Sequence, residues 1–464
     1  MGALFHSFAK PRAVAAAVLV AGCVATLAVD WPGHLEFDSI IQLRDGRSGV
    51  YDSWHPPVMA WLLGLGDAIL PGAALFVAFD TVLAFAALVS LLWLPKQISW
   101  RAVAGAFVIV LLPQLLIYQG IVWKDVLFAD AVLCGFASLA QAAARWENFR
   151  ARAVLIALSI LFLVLATLTR QNGAVVVPCA AIALGVIAAR GTGSRRNGAA
   201  YGAGLFVACI VLVFAGNAAL QLRSDNNLGV VKQIKVLERY DLAGMVKRKP
   251  AIALRVLDKE APALARAIRT EGVARWSPAA NDTLMDSPVL QDALDRTAPD
   301  ILARQWREAI ATEPGTYLAV RAQLFVWLFW PGHGDACPLY TVGVDGPANW
   351  MNKLSIAPRF DARDEALDDY ASALGATPVF WHPAYAVLTV LCLWFLLKRR
   401  GAADIALAAM LTASLLFTLS FFFVSMACEY RYLYMPDLAA AAAALYLLAD
   451  GEGRGTAFHN LSRR

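Results

Sequence analysis

Runs of apolar residues near the length needed to cross about 30 Å of hydrocarbon recur along this chain at positions 11–29, 73–95, 102–118, 126–144, 153–169, 174–189, 201–220, 382–397, 403–425 and 434–449. One such run could be a buried helix of a soluble protein; the series could not. Composition agrees: 16% of the 464 residues are charged and 59% hydrophobic, with a mean hydropathy of +0.58, where a soluble domain is about one-quarter charged. The chain therefore reads as an all-α polytopic membrane protein, a bundle of ten transmembrane helices. The first run begins at Lys10 and Arg12 and lacks a small-residue cleavage pattern, so it is expected to stay as the first helix rather than to be removed as a signal.

Basic residues test the threading, because short cytoplasmic loops collect Lys and Arg. With the amino terminus cytoplasmic, the inside turns hold Lys96 and Arg101, then Arg145, Arg150 and Arg152, then Arg190, Arg195 and Arg196, then Lys398, Arg399 and Arg400, with Arg454, Arg463 and Arg464 in the tail. This asymmetry needs no nucleic-acid partner to explain it. Three units follow: residues 1–221 form an amino-terminal transmembrane module with an outer loop at 30–72, residues 222–381 an extracytoplasmic, mainly helical segment, and residues 382–464 the last helices and tail. Within the middle unit, 318–330 is apolar apart from Arg321 and Gln323. Its Arg321, Trp327 and Trp330 suit an interfacial helix at 315–332 better than an eleventh crossing.

Cys23, Cys134, Cys179, Cys209 and Cys392 fall in apolar runs and act as small hydrophobes, whereas Cys337 and Cys428 lie outside or at an edge and can pair if both face an oxidising compartment. Asn281-Asp282-Thr283 fits a glycosylation sequon. There is no glycine-rich phosphate loop and no Cys/His cluster of zinc spacing, so no metal ligand is assigned. The need for a divalent cation or any other cofactor is open.

Polar residues gather on the outer side. Asp30, Glu36, Asp38, Asp45 and Asp52 share one loop with His34 and His55, and Trp54-His55-Pro56-Pro57 leads straight into an apolar helix. Solvated loops are often acidic, but these acids stand beside a membrane-hugging element, where they can act on a substrate whose tail lies in lipid. Lys124 with Asp125, Arg170 with Gln171 and Asn172, and Glu429 with Arg431 mark three further outer turns. Pairing within a turn, as Lys124 with Asp125 or Arg431 with Glu429, is the plain explanation. Binding the phosphate of a lipid headgroup is the other, since Arg and Lys hold phosphate oxygens through charge-assisted bonds.

The order of these elements resembles the multi-spanning glycosyltransferases of the GT-C superfold, a group that includes protein O-mannosyltransferases, aminoarabinose lipid A transferases and bacterial membrane enzymes. The elements are a first helix, an acidic outer loop, His55-Pro56-Pro57 opening an apolar helix, Trp123-Lys124-Asp125, Arg170-Gln171-Asn172-Gly173 and Glu429-Tyr430-Arg431-Tyr432. The resemblance implies a bacterial inner-membrane enzyme with an extracytoplasmic active site. Such an enzyme moves a sugar, with inversion, from a polyprenyl-phosphate carrier to a glycan, lipid or protein acceptor of the cell envelope. It implies a loop acid as general base, for which Asp38 matches best and Glu36 and Asp30 stand in reserve. Arg431, Lys124 and Arg170 become the candidates for the donor phosphate, and His55, Asp125, Asn172 and Glu429 for substrate contacts. Two other functions fit the same residues: a polymerase or ligase using a polyprenyl-diphosphate oligosaccharide, and a transporter or flippase of lipid-linked sugar. For the latter the intramembrane carboxylates Asp80 and Asp130, with Asp404 near a helix start, form a sparse set.

Overall fold

The computed structural model describes residues 2–51, 54–222, 229–330 and 336–451. Asp52 and the tail arginines 454, 463 and 464 lie outside the described residues. Among these the chain is helical, with isolated bridges in place of strands. Among the described residues, eight helices are long and apolar enough to cross a membrane: Lys10–Asp30, Ala74–Leu91, Lys124–Ala144, Phe149–Thr169, Gln171–Thr192, Arg195–Gln221, Ala402–Val424 and Tyr430–Ala449. The protein is a multi-pass, all-α membrane protein.

Two of the ten expected spans fall outside these eight. The run at 102–118 is two helices, Arg101–Val110 and Pro113–Gly120, meeting at 62°. Pro113 has no N–H for the helix before it and starts a new one at its first position. The run at 382–397 is the 18-residue helix His382–Arg399, packed against Ala402–Val424 and Tyr434–Ala449. Its polar ends, His382, Lys398 and Arg399, leave it outside the eight. Ala439–Ala443 of the last helix are buried in the bundle, where their small side chains let neighbouring backbones approach.

The turns read from the sequence as inside turns converge on one rim. Arg12 donates to the carbonyls of Leu92 (3.1 Å) and Pro95 (2.6 Å), Ser99 to that of Leu448 (2.8 Å), and Arg190 to that of Arg400 (3.1 Å). Arg399 pairs with Asp450 at 2.6 Å, and Arg152 lies over the Trp146 ring at 4.6 Å. At the other ends of these helices, Asp30, Lys124, Arg170 and Glu429 share the opposite rim. The helices Lys10–Asp30 and Lys124–Ala144, 21 residues each, hold the two rims about 30 Å apart.

The segment 222–381 contributes to more than one packed cluster. Its first part builds its own core from Tyr240, Leu257, Leu264, Ile268, Leu290, Leu302 and Val320. Its second part joins the outer loop: Val344, Met351 and Leu354 pack with Leu35, Ile40, Leu43, Met59 and Leu63. The 315–332 stretch is the helix Pro314–Phe329, with Tyr317, Val320 and Leu324 in the outer core and Leu328 in the bundle core. Arg321 does not face a lipid interface as its sequence position suggested. It is wholly buried, paired to Asp241 at 2.6 Å and bonded to the Ser425 carbonyl at 2.8 Å. A buried arginine survives only with such partners, and this one ties the outer core to the membrane bundle.

Glu238 carries a stability prediction. Burial pushes its carboxyl up to about 7, against the pull of Arg307. The folded state thus holds a proton more tightly than the unfolded chain, and stability falls as pH rises from the ordinary carboxyl range to about 7. The variant E238Q is expected to raise the melting temperature at pH 8 by a few degrees, an effect of about 1 kcal/mol, and to change it little at pH 5. Thermal unfolding in detergent at the two pH values measures the difference.

Candidate functional site

The outer loop forms a tight hairpin of two helices, Phe37–Ser48 and Pro57–Ile69. They cross at Gly46 and Gly64, where a Cβ on either would lie 2.5 Å from the other's backbone or its neighbour's. Glycine is needed there because only a bare backbone permits the contact. Ser39 fixes the start of the first helix, accepting from the Glu36 N–H (3.3 Å) and donating to the Val122 carbonyl (2.8 Å). Asp38 therefore sits in a first turn, where the helix N-terminus favours negative charge. Pro57 occupies the first position of the second helix, which sets the chain direction at His55.

Arg431 is the hub. Its Nη2 meets Asp38 Oδ2 at 2.8 Å, its Nη1 meets Glu36 Oε1 at 3.2 Å, and its Nε pairs with Glu429. Its guanidinium lies 4.9 Å from the Trp123 ring centroid, and the Trp123 indole N–H donates to Glu36 Oε1 at 2.9 Å. His55 bridges to the next cation. Lys124 Nζ donates to His55 Nδ1 at 2.9 Å, so the neutral ring carries its proton on Nε2, which faces Asp38 Oδ1 at 3.5 Å. Arg170 pairs with Asp125 and lies 5.4–5.6 Å from the rings of Phe417, Phe421 and Tyr432.

These groups line one cavity of about 540 Å³. Asp38, His55, Lys124, Arg170, Asn172, Glu429 and Arg431 all face it, while Glu36 and Asp125 stand behind as partners of the arginines. Asn172 donates to Ser420 at 3.3 Å. Asp30 is elsewhere: it is fully buried and bound to His34 Nε2 at 3.0 Å, beneath Gly120. His34 is in turn held by the Gly343 N–H at 2.9 Å, which makes Asp30 a strut between the first helix and the 336–381 region. Among the described residues, no group of three or more His, Cys, Asp or Glu side chains has metal-binding spacing.

The two acids differ. Burial would raise Asp38, but the His55 hydrogen bond and the charges of Arg431 and Lys124 outweigh it and hold its carboxyl well below the usual range. Glu36 is pushed up, because burial and the nearby Asp38 exceed the pull of Arg431. Burial and Lys124 lower His55, keeping it neutral at pH 7. Lys124 has, among the described residues, no carboxylate within 4 Å.

The sequence did not single out Trp54, Gln233, Asn281, Asp282, Met285 or Phe421 for this site, yet all line the cavity. Phe421 and Val424 end a membrane helix, so the cavity opens along apolar surface. Trp54 comes from the outer loop, and Gln233, Asn281, Asp282 and Met285 come from the outer core, whose position relative to the bundle is not encoded in local spacing. Asn281, read as a sequon residue, is 5% exposed and unavailable for glycosylation in the folded protein.

Cys337 and Cys428 form a disulfide. Together with hydrogen bonds from the Cys428 N–H to Ala279 (2.9 Å) and from the Tyr430 N–H to Pro338 (3.1 Å), it pins the segment carrying Glu429 and Arg431. The disulfide closes a loop with a sequence separation of 91, for which chain entropy gives about 4.6 kcal/mol. The double variant C337S/C428S is expected to melt several degrees lower than the parent, and an unchanged melting temperature would show that the surrounding hydrogen bonds suffice.

No family model and no curated protein matches this chain. Among solved structures it is similar to the archaeal oligosaccharyltransferase AglB from Archaeoglobus fulgidus, determined in complex with an inhibitory peptide and a dolichol-phosphate. The match covers 93% of this chain and 50% of that one, at 15% sequence identity and a TM-score of 0.40. The chain thus spans about half the length of the structure it matches.

Proposed function

We propose that the chain is an inverting glycosyltransferase that takes a sugar from a polyprenyl-phosphate carrier and gives it to an envelope acceptor on the outer face of the membrane. The observation that carries this reading is one cavity at a membrane-helix end holding a carboxylate, Asp38, beside three cations from three separate turns, Arg431, Lys124 and Arg170. Lys124 adds weight, as a partly buried ammonium with no carboxylate within 4 Å among the described residues suits a phosphate oxygen. The outer face is supported by the basic opposite rim and by the disulfide, which persists in oxidising compartments.

In this mechanism the acceptor hydroxyl attacks the anomeric carbon from the side opposite the phosphate. The bond from the anomeric carbon to the phosphate oxygen breaks, polyprenyl phosphate leaves with the electron pair, and Asp38 takes the hydroxyl proton. The leaving group needs charge stabilisation rather than an acid, which Arg431, Lys124 and Arg170 supply. A carboxylate as tightly paired as Asp38 is a weak base. A donor phosphate that competes for Arg431 loosens that pairing and raises the basicity of Asp38, so donor binding prepares the base.

The same competition sets a pH dependence. Glu36 loses its Arg431 contact to the phosphate, its already raised carboxyl rises further, and binding takes up a proton between those two values. The parent's affinity for polyprenyl phosphate is expected to approach that of E36Q as pH falls and to drop below it as pH rises, a comparison that cancels the phosphate's own second ionisation. A titration of both proteins in nanodiscs at fixed ionic strength measures this, and a ratio of the two affinities that does not change with pH would contradict it. Offering monosaccharide-phosphate and oligosaccharide-diphosphate lipids side by side tests the reading itself: turnover of the diphosphate alone would make the chain a polymerase or ligase.

A further inference from the structure

The cavity has a second wall whose chemistry differs from the first. It comes from the outer core and carries Asn281, Asp282 and Met285, with Trp54 and Gln233 beside them, where Gln233 donates to the Trp54 carbonyl. It lacks cations among the described residues lining it. Asn281 is 5% exposed and its Oδ1 accepts from Arg239 Nη2 at 3.0 Å. A guanidinium only donates, so the amide orientation is forced: Oδ1 faces Arg239 and the two N–H donors of Nδ2 point away from it. No acceptor for those donors is found among the described residues. Arg239 itself is fully buried, with Nε and Nη1 unpartnered. A buried charge with so few partners is costly, and what it accomplishes here is to hold one amide at the edge of the cavity.

Resting on the transfer reading above, we infer that Asn281, oriented by Arg239, recognises the acceptor, and that the acceptor presents neutral saccharide hydroxyls. A hydroxyl accepts from the Asn281 amide through its oxygen and donates through its hydrogen to the Asp282 carboxylate. An anionic acceptor would meet Asp282 unfavourably, and a cationic one would leave the amide donors unpaired. The apolar parts of Met285 and Trp54 suit the C–H face of a sugar ring. Asn281 thus shares one cavity with Asp38 and the cations, so an acceptor hydroxyl held by Asn281 and Asp282 lies in the cavity that holds Asp38.

The test uses the full chain in nanodiscs and two independent probes: undecaprenyl phosphate for the cationic wall, and soluble methyl glycosides of glucose, galactose and mannose, read by saturation-transfer NMR, for the outer wall. The parent protein is expected to bind at least one methyl glycoside in the millimolar range. N281A and R239M should each weaken that binding tenfold or more while leaving undecaprenyl phosphate affinity within twofold. R239M exchanges a buried charge for an apolar side chain of similar length, so it is expected to keep the fold, and its melting temperature verifies this. Equal glycoside binding by both variants overturns the inference, as does no glycoside binding up to 100 mM, or Asn281-dependent binding of a serine-containing peptide in place of the glycosides. Failure of the parent to bind undecaprenyl phosphate strikes instead at the proposed donor.

Discussion

The variant D38N is expected to lose sugar transfer by roughly 10²–10⁴-fold, the usual contribution of a positioned general base, while remaining folded and binding the lipid donor. The amide keeps the shape of the carboxylate and its one oxygen can still accept from Arg431, while its NH2 takes the place of the oxygen that faces His55. What it loses is the ability to take a proton. Turnover with a matched lipid donor and acceptor, beside donor affinity and melting temperature, separates these effects. Near-normal turnover would remove Asp38 from the base role and turn attention to Glu36, which shares Arg431 with it.

Replacing Arg431 is expected to have a different signature. In R431K a point charge takes the place of a planar fork that reaches Asp38, Glu36 and Glu429 at once and stacks on Trp123. Lysine cannot reproduce that geometry. Transfer and donor affinity should therefore fall together, each by tenfold or more, whereas D38N lowers transfer alone. In R431A three part-buried carboxylates are left facing one another without their common cation, which is expected to cost about 1–3 kcal/mol, less than breaking a fully buried pair. The melting temperature is expected to drop accordingly, and unchanged donor binding in R431K would argue that Lys124 and Arg170 hold the phosphate without it.

The architecture was largely legible because a bilayer imposes long apolar helices and a charge asymmetry, both of which are local in sequence. Arg12, Lys96, Arg190 and Arg399 could be assigned to one rim before any contact was known, and the structure joins their turns there. The bend at Pro113 had a visible signal in the proline and was smoothed over by the surrounding apolar residues. The loop acids were harder. Asp30 and Asp38 look alike in sequence, and only tertiary packing separates a strut under Gly120 from a cavity carboxylate. Asn281 was legible only as a sequon, since its distinguishing partner, Arg239, is fixed by the outer core and not by spacing along the chain.

The cross-link between positions 337 and 428 has a consequence for biogenesis. Its second cysteine follows the Ala402–Val424 helix directly, so the bond can close only after that helix has been inserted with the correct orientation. A chain threaded the wrong way leaves these two thiols open to alkylation. A gel shift with a maleimide reagent would then count misinserted molecules, giving a covalent record of quality control for a polypeptide whose cavity-lining residues are gathered from nearly its whole length.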